Sequence, residues 1–289
     1  MLSLTLFMTL LEKRMRGLTG DLSATVSILA KGEVVPTSVH RLRTTIRRIE
    51  SLVSYANPDL DKKLERSLER LADLRKRAGK VRDLDVQTGL LRVLGNGSTA
   101  RDREILAALL GKKRDRHARR LMSAVVRIQR SKFFARMERI AERAGTEPAQ
   151  RPLAPLQEAR AQLAKMANDY SSHQPLDLKR LHDARTHLKR IRYVAELAEE
   201  SPEQKNFIRE LKTVQDAVGD WHDWQELTST AEKRFSDRVN CVLLREVRAL
   251  LAARHSAAVL AVDKVFLVLA PARKLPRPVQ SVRAFARYA

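Results

Sequence analysis

Two segments of this chain carry one pattern, H-x-x-R-x-x-x-[RK]-R, first as His40-Arg43-Arg47-Arg48 and again as His182-Arg185-Lys189-Arg190, at a constant offset of 142 residues. The apolar residues woven between them repeat as well: Leu42, Ile46, Ile49 and Val53 correspond to Ala184, Leu188, Ile191 and Ala195. A second stretch, with Leu71, Leu74, Ala78, Gly79, Val81 and Asp83, is matched at an offset of 140 by Leu211, Val214, Val218, Gly219, Trp221 and Asp223. Two elements written twice in the same order constrain the chain to two similar halves. A pseudo-twofold pair of helical bundles is the natural architecture for them.

Helices follow from the spacing. Between Gly and Pro punctuation, apolar residues recur at three and four, and no segment sustains an alternation of period two, so an all-α protein is expected. The spacing predicts helices over about 2–30, 37–55, 59–94 and 98–143, with breaks at Gly32/Pro36, Asn57-Pro58 and Gly95-Asn96-Gly97. Residues 145–152 have linker composition, and the order then restarts with helices over about 153–171, 177–200, 202–234 and 236–269. The expected organisation is a four-helix bundle over 1–144, a second over 153–270, and a basic, proline-containing tail over 271–289 that is extended and mobile.

Fifty-six Lys and Arg against 34 Asp and Glu leave a formal charge of +22, which calls for a polyanionic partner: nucleic acid, an acidic membrane or polymeric phosphate. The excess is concentrated early, since residues 1–145 hold 32 basic and 16 acidic side chains. Aromatic residues are only 4% of the chain, too few for the stacking platforms by which single strands and RNA are read. The lone Cys241 lies in an apolar run, forms no internal disulfide and fits a reducing, cytoplasmic setting. The apolar segment 1–11 is too short to span a bilayer and is expected to begin a core helix, with no membrane partner.

At 100° per residue, His40, Arg43 and Arg47 share a stripe, as do His182, Arg185 and Lys189, and each stripe borders the apolar face. A solvated charge run would lie opposite that face and be interleaved with acids, yet the first acid after His40 is Glu50. A lined groove is the expectation. Arg75, Lys76, Arg77, Lys80 and Arg82 follow within eight residues without an intervening acid, and their mutual repulsion, about 0.2–0.5 kcal/mol per pair, would be relieved by an anionic ligand. Asp83 and Asp85 come next and are candidates to orient Arg82 or Arg75. From the cluster at 112–120, Arg116 and Arg120, one turn apart, are the candidate ligands.

With the doubled His-x-x-Arg helices and the Gly-x-x-Arg-Asp-x-Asp step (Gly79-Lys80-Val81-Arg82-Asp83-Leu84-Asp85) in view, the chain resembles the CHAD family, the conserved histidine α-helical domain, from about residue 2 to residue 270. The resemblance implies two pseudo-symmetric four-helix bundles around a basic central cavity, binding of inorganic polyphosphate and association with polyphosphate granules. It also implies that His40, Arg43, Arg47 and Arg48, and their copies His182, Arg185, Lys189 and Arg190, stand at phosphate-ligand positions. Arg75 and Arg82 match the pattern in the first half, but the second half has Gln215 and His222 there, which puts equal contribution of the halves in question. No Glu-x-Glu-x-Lys signature of a triphosphate-tunnel domain occurs, so a stand-alone binding protein without catalysis, cofactor or metal is expected.

Three competing readings remain at this level, one of them a purely structural scaffold in which charge reversal at Arg43, Arg47 and Arg82 would leave polyanion binding intact. The dipeptides His182-Asp183 and His222-Asp223 resemble those of metal-dependent phosphohydrolases, but four well-placed ligands are not evident and nearby cations oppose a divalent metal. Sequence-nonspecific binding to a nucleic-acid backbone is the stronger alternative, because charge alone does not separate phosphodiester from phosphoanhydride polymers.

Overall fold

The computed structural model describes residues 2–56, 62–94, 97–146, 154–171, 177–238 and 240–269. The expected turns at Asn57-Pro58 and Gly95-Asn96, residues 147–152 of the expected linker and the tail at 271–289 lie outside the described residues. Among the described residues there are nine helices and no strand: α1 (Leu2–Ala30), α2 (Pro36–Ala56), α3 (Lys62–Val93), α4 (Ala100–Gln129), α5 (Phe133–Thr146), α6 (Pro155–Ser171), α7 (Leu178–Ala195), α8 (Pro202–Arg234) and α9 (Val242–Leu269). None of them is long and apolar enough to cross a membrane.

Local chemistry sets the ends. Gly32, at φ 95°, takes the left-handed conformation that closes the turn after α1. The Asp177 carboxylate accepts from the Arg180 amide at 2.8 Å, and the Ser201 hydroxyl accepts from the Gln204 amide at 3.1 Å, so α7 and α8 both start on side-chain caps, the latter with Pro202 in its first turn. The helix expected over 98–143, one of the two long enough to be bent or broken, is broken into two. It breaks at Arg130-Ser131-Lys132, where the Ser131 hydroxyl donates to the Ile128 carbonyl and Phe133 becomes fully buried. The break turns α5 back onto α1, burying Met137 and Ala141 in the first-half core, whereas α9 runs on unbroken.

The halves are related as the repeat requires, with α2 and α3 recurring as α7 and α8, and the halves meet through α2 against α7 and α3 against α8. One core joins α1 to α5, including Leu42, Ile46, Ile49, Leu71 and Val81; its counterpart joins α6 to α9, including Ala184, Leu188, Ile191, Leu211 and Trp221. A third core spans both halves. There the C-terminal ends of α3 and α8 and the N-terminal ends of α4 and α9 bury Leu84, Leu91, Leu106, Leu110, Trp224, Leu227 and Val247 together with the free thiol of Cys241. The turn after α7 adds another tie: Leu197 is buried in the first-half core, and the Arg14 guanidinium of α1 donates to the carbonyls of Glu196 and Ala198 at 2.8 and 2.9 Å. Those carbonyls sit at the end of a helix, where a cation is favoured.

Candidate functional site

The central helices α2, α3, α7 and α8 carry the doubled stripes, and the stripes face each other across the join. A cleft of about 1110 Å³ opens between α2, α3, α6 and α7. Arg47 and Arg75 line it from the first half, and His182, Arg185, Lys189 and Arg190 from the second. Arg43 and Arg82 lie close enough to Lys189 for their charge to disfavour its protonation.

Burial dominates the electrostatics. The stripe borders the apolar face, so its cations lose water on folding, and loss of water disfavours a charged group. Desolvation, reinforced by Arg185, Arg47, Arg43 and Arg82, pushes the Lys189 ammonium down to about 6. The Arg43 guanidinium is held down to about 10, mainly by burial, against the pull of Asp83. Arg47 and Arg185 are lowered for the same first reason. The Nε groups of Arg43 and Arg185, twins in the repeat, are both buried with no hydrogen-bond partner among the described residues. Each such orphan costs about 1–3 kcal/mol, a penalty that an acceptor oxygen would remove.

Two acids punctuate this field. The Arg82 guanidinium donates to both carboxylate oxygens of Asp223, at 2.7 and 2.9 Å, in a bidentate clamp between the halves. Asp83 stands 3.4 Å from Arg82 and 4.0 Å from Arg43. The clamp occurs once, because the pseudosymmetric partner of Arg82 is His222. Burial lowers His222 to about 4, with Arg185 adding to the effect; its Nδ1 is buried without a partner among the described residues, and its ring centroid lies 5.4 Å from that of His182. His40 lies at the surface with its Nε2 3.4 Å from the Thr44 hydroxyl, and the partial loss of water around its ring, with Arg43 and Arg82, lowers its pKa.

The expected site residues therefore divide. Arg43, Arg47, Arg82, Arg185, Lys189 and His222 converge, with His40, His182 and Arg190 at the margin. Arg75 reaches the cleft but is ion-paired to Glu50 at 2.8 Å. Arg48 turns away and pairs with Glu196 at 3.2 Å. Lys76 is exposed and outside the cleft lining. Arg116 and Arg120 are also exposed; with Lys80 and Lys113 they surround His117 in a separate basic group on α3 and α4.

The orienting acids match expectation only in part, since Asp83 does reach Arg82 at 3.4 Å. Asp223, from the other half, is the main partner of Arg82, while Asp85 pairs with Arg114 and Glu50 with Arg75. Arg77 pairs with Asp73 at 2.8 Å. Much of the repulsion along 75–82 is thus relieved by the protein's own acids, brought in from neighbouring turns and helices, and a ligand is not required for it.

Further side chains line the cleft beside the doubled stripes. Ser51 and Ser54 continue the α2 stripe at the i+4 and i+7 positions after Arg47, and Tyr193 continues the α7 stripe four residues after Lys189, so helical spacing alone points to them. Gln157, Glu158, Ala161 and Gln162 form the α6 wall, and no motif marks them.

A family model described as CHAD domain matches residues 16–232. The fold is similar to the crystal structure of the CHAD domain from the plant Ricinus communis, with a TM-score of 0.69 and 15% identity, over 94% of this chain and 93% of that one. It is also similar to PptA from Streptomyces chartreusis, with a TM-score of 0.53 and 16% identity, over 88% of this chain and 98% of that one. Among curated proteins no sequence match is found. The matched span contains both copies of the histidine-arginine stripe and both copies of the glycine-aspartate segment on α3 and α8, and the chain belongs to the CHAD family.

Proposed function

We propose that this protein binds inorganic polyphosphate, without catalysis, in the cleft between its halves, and that it associates with polyphosphate granules through that binding. The observation that carries the reading is the convergence of Arg43, Arg47, Arg185 and Lys189, partly buried among like charges and contributed by helices far apart in sequence. A polymer with an anionic charge on every unit and no side groups needs such a surface: several cations, guanidinium forks that hold two oxygens at once, and no base-reading pocket. Membership of the CHAD family supports the same ligand. The free, buried Cys241 fits the reducing, cytoplasmic setting proposed for it.

Titration with polyphosphate of defined lengths at two salt concentrations tests the proposal. Affinity is expected to fall with salt, with a slope of about −0.7 per phosphate engaged, and to drop more than tenfold in the triple variant Arg43→Glu, Arg47→Glu, Arg185→Glu. Reversal at Arg116 and Arg120 reads the outer group separately, and a change under threefold is expected. Displacement of long polyphosphate by nucleic acid at matched phosphate concentration would instead favour a nucleic-acid backbone as ligand. Unchanged polyanion binding in the triple variant would leave the cleft with a structural role only.

A further inference from the structure

Lys189 stands at the one position of the doubled stripe where the first half has an arginine, Arg47, and the second a lysine. It lines the cleft and is partly buried, and it forms no ion pair among the described residues. Arg43 and Arg47 face it from α2, Arg82 from α3 and Arg185 from its own helix. The nearby acids are engaged elsewhere: Glu50 with Arg75, Glu158 of α6 with the Gln162 amide, Asp83 with Arg43 and Arg82, and Asp223 of α8 with Arg82. His222 of α8, which stands by Arg185 and His182, is itself held neutral at pH 7, first by burial. An amine so placed is a nucleophile set beside groups that hold phosphate.

We propose that Lys189 is a site of acylation by acyl phosphates, with the guanidinium groups around the cleft holding the donor's phosphate while the lysine Nζ takes the acyl group. The Nζ lone pair forms a bond to the carbonyl carbon. The bond from that carbon to the bridging oxygen breaks, phosphate leaves with the electron pair, and the amine proton passes to solvent, leaving an amide and inorganic phosphate. The burial that lowers Lys189 to about 6 leaves most of its amine neutral at pH 7, whereas an exposed lysine is neutral in about one molecule in 2,500. A less basic amine is a weaker nucleophile. With the sensitivity known for thiols, about 0.4–0.5, that loss is about 100-fold, and a net advantage of about twentyfold remains.

This inference goes beyond the polyphosphate reading and needs only the cation cluster and the cleft. The test is to treat the whole protein with acetyl phosphate and follow acetylation residue by residue by mass spectrometry between pH 6 and 9. At pH 7 Lys189 is expected to react more than about twentyfold faster with acetyl phosphate than the exposed Lys76 and Lys112, docking of the phosphate adding to the advantage of the neutral amine. Its rate should level off above neutrality while theirs climb about tenfold per pH unit. Labelling no faster than these surface lysines overturns the proposal. Acetic anhydride, which has no phosphate, should show a smaller preference for Lys189, and an equal preference overturns the docking role of the guanidiniums. Inorganic phosphate is expected to slow labelling at Lys189 alone. If it does so while polyphosphate leaves the rate unchanged, the ligand proposed above fails and the acylation stands.

Discussion

Holding Lys189 among arginines should be visible in the stability of the protein, and Lys189→Met isolates the effect. The folded protein keeps this amine neutral down to about pH 6, whereas the unfolded chain protonates it below about 10.4. Between those values the unfolded state binds the extra proton, so stability rises with pH, by at most about 1.4 kcal/mol per unit. From pH 7 to 9 that limit is about 2.7 kcal/mol. The cleft admits water, which weakens the effect, so about 1–2 kcal/mol is expected. Other shifted groups leave this window clear: His40, His117, His222 and His255 are all lowered from near 6.5, and Arg43 titrates near 10. Urea unfolding at pH 7, 8 and 9 supplies the readout. The variant should be more stable than wild type by about 1–3 kcal/mol at pH 7, with the gap closing as pH rises. Polyphosphate, by favouring the ammonium, should flatten the wild-type slope. Parallel curves for the two proteins would refute the argument that burial and like charge hold Lys189 neutral.

Three further outcomes are expected. Asp223→Asn removes the charge from the bidentate clamp on Arg82 and should cost about 1–3 kcal/mol in urea unfolding at neutral pH; a change below about 0.5 kcal/mol would mean that the clamp does not tie the halves together. Leu197→Ala should cost about 2–4 kcal/mol, because this side chain from the second half is buried in the first-half core, and a loss under 1 kcal/mol would contradict that packing. His222 is lowered to about 4, so the folded state resists its protonation, and stability should fall as pH drops from about 6.5 toward 4. Phosphate near the ring favours the charged form, so polyphosphate affinity should rise over the same range; His222→Gln is expected to weaken both trends, and unchanged pH profiles would remove the ring from the ligand-sensing set.

Much of the fold was readable along the chain because helices announce themselves locally. Apolar spacing of three and four located the helices, and the offsets of 142 and 140 related α2 to α7 and α3 to α8 before any packing was known. The position of Arg43, Arg47, Arg185 and Lys189 beside the apolar face was legible for the same reason, since the direction of a side chain on a helix depends only on its number. The break at Arg130-Ser131-Lys132 was not, because nothing in the local pattern forbids a continuous helix there. What ends it is burial of Phe133, Met137 and Ala141 once α5 folds back onto α1.

Sequence by itself determined that the protein is helical, doubled and basic, with cations facing inward on two matching helices, because each of these is a property of residues within a few turns of one another. Only the tertiary structure decided which cations remain unpaired. Arg82 finds its carboxylate 141 residues away in Asp223, Arg75 finds Glu50, and Arg48 turns out to Glu196, while Lys189 is left among arginines. An ion pair depends on distance in space and on how much water the fold excludes, and neither is written in the spacing of one helix.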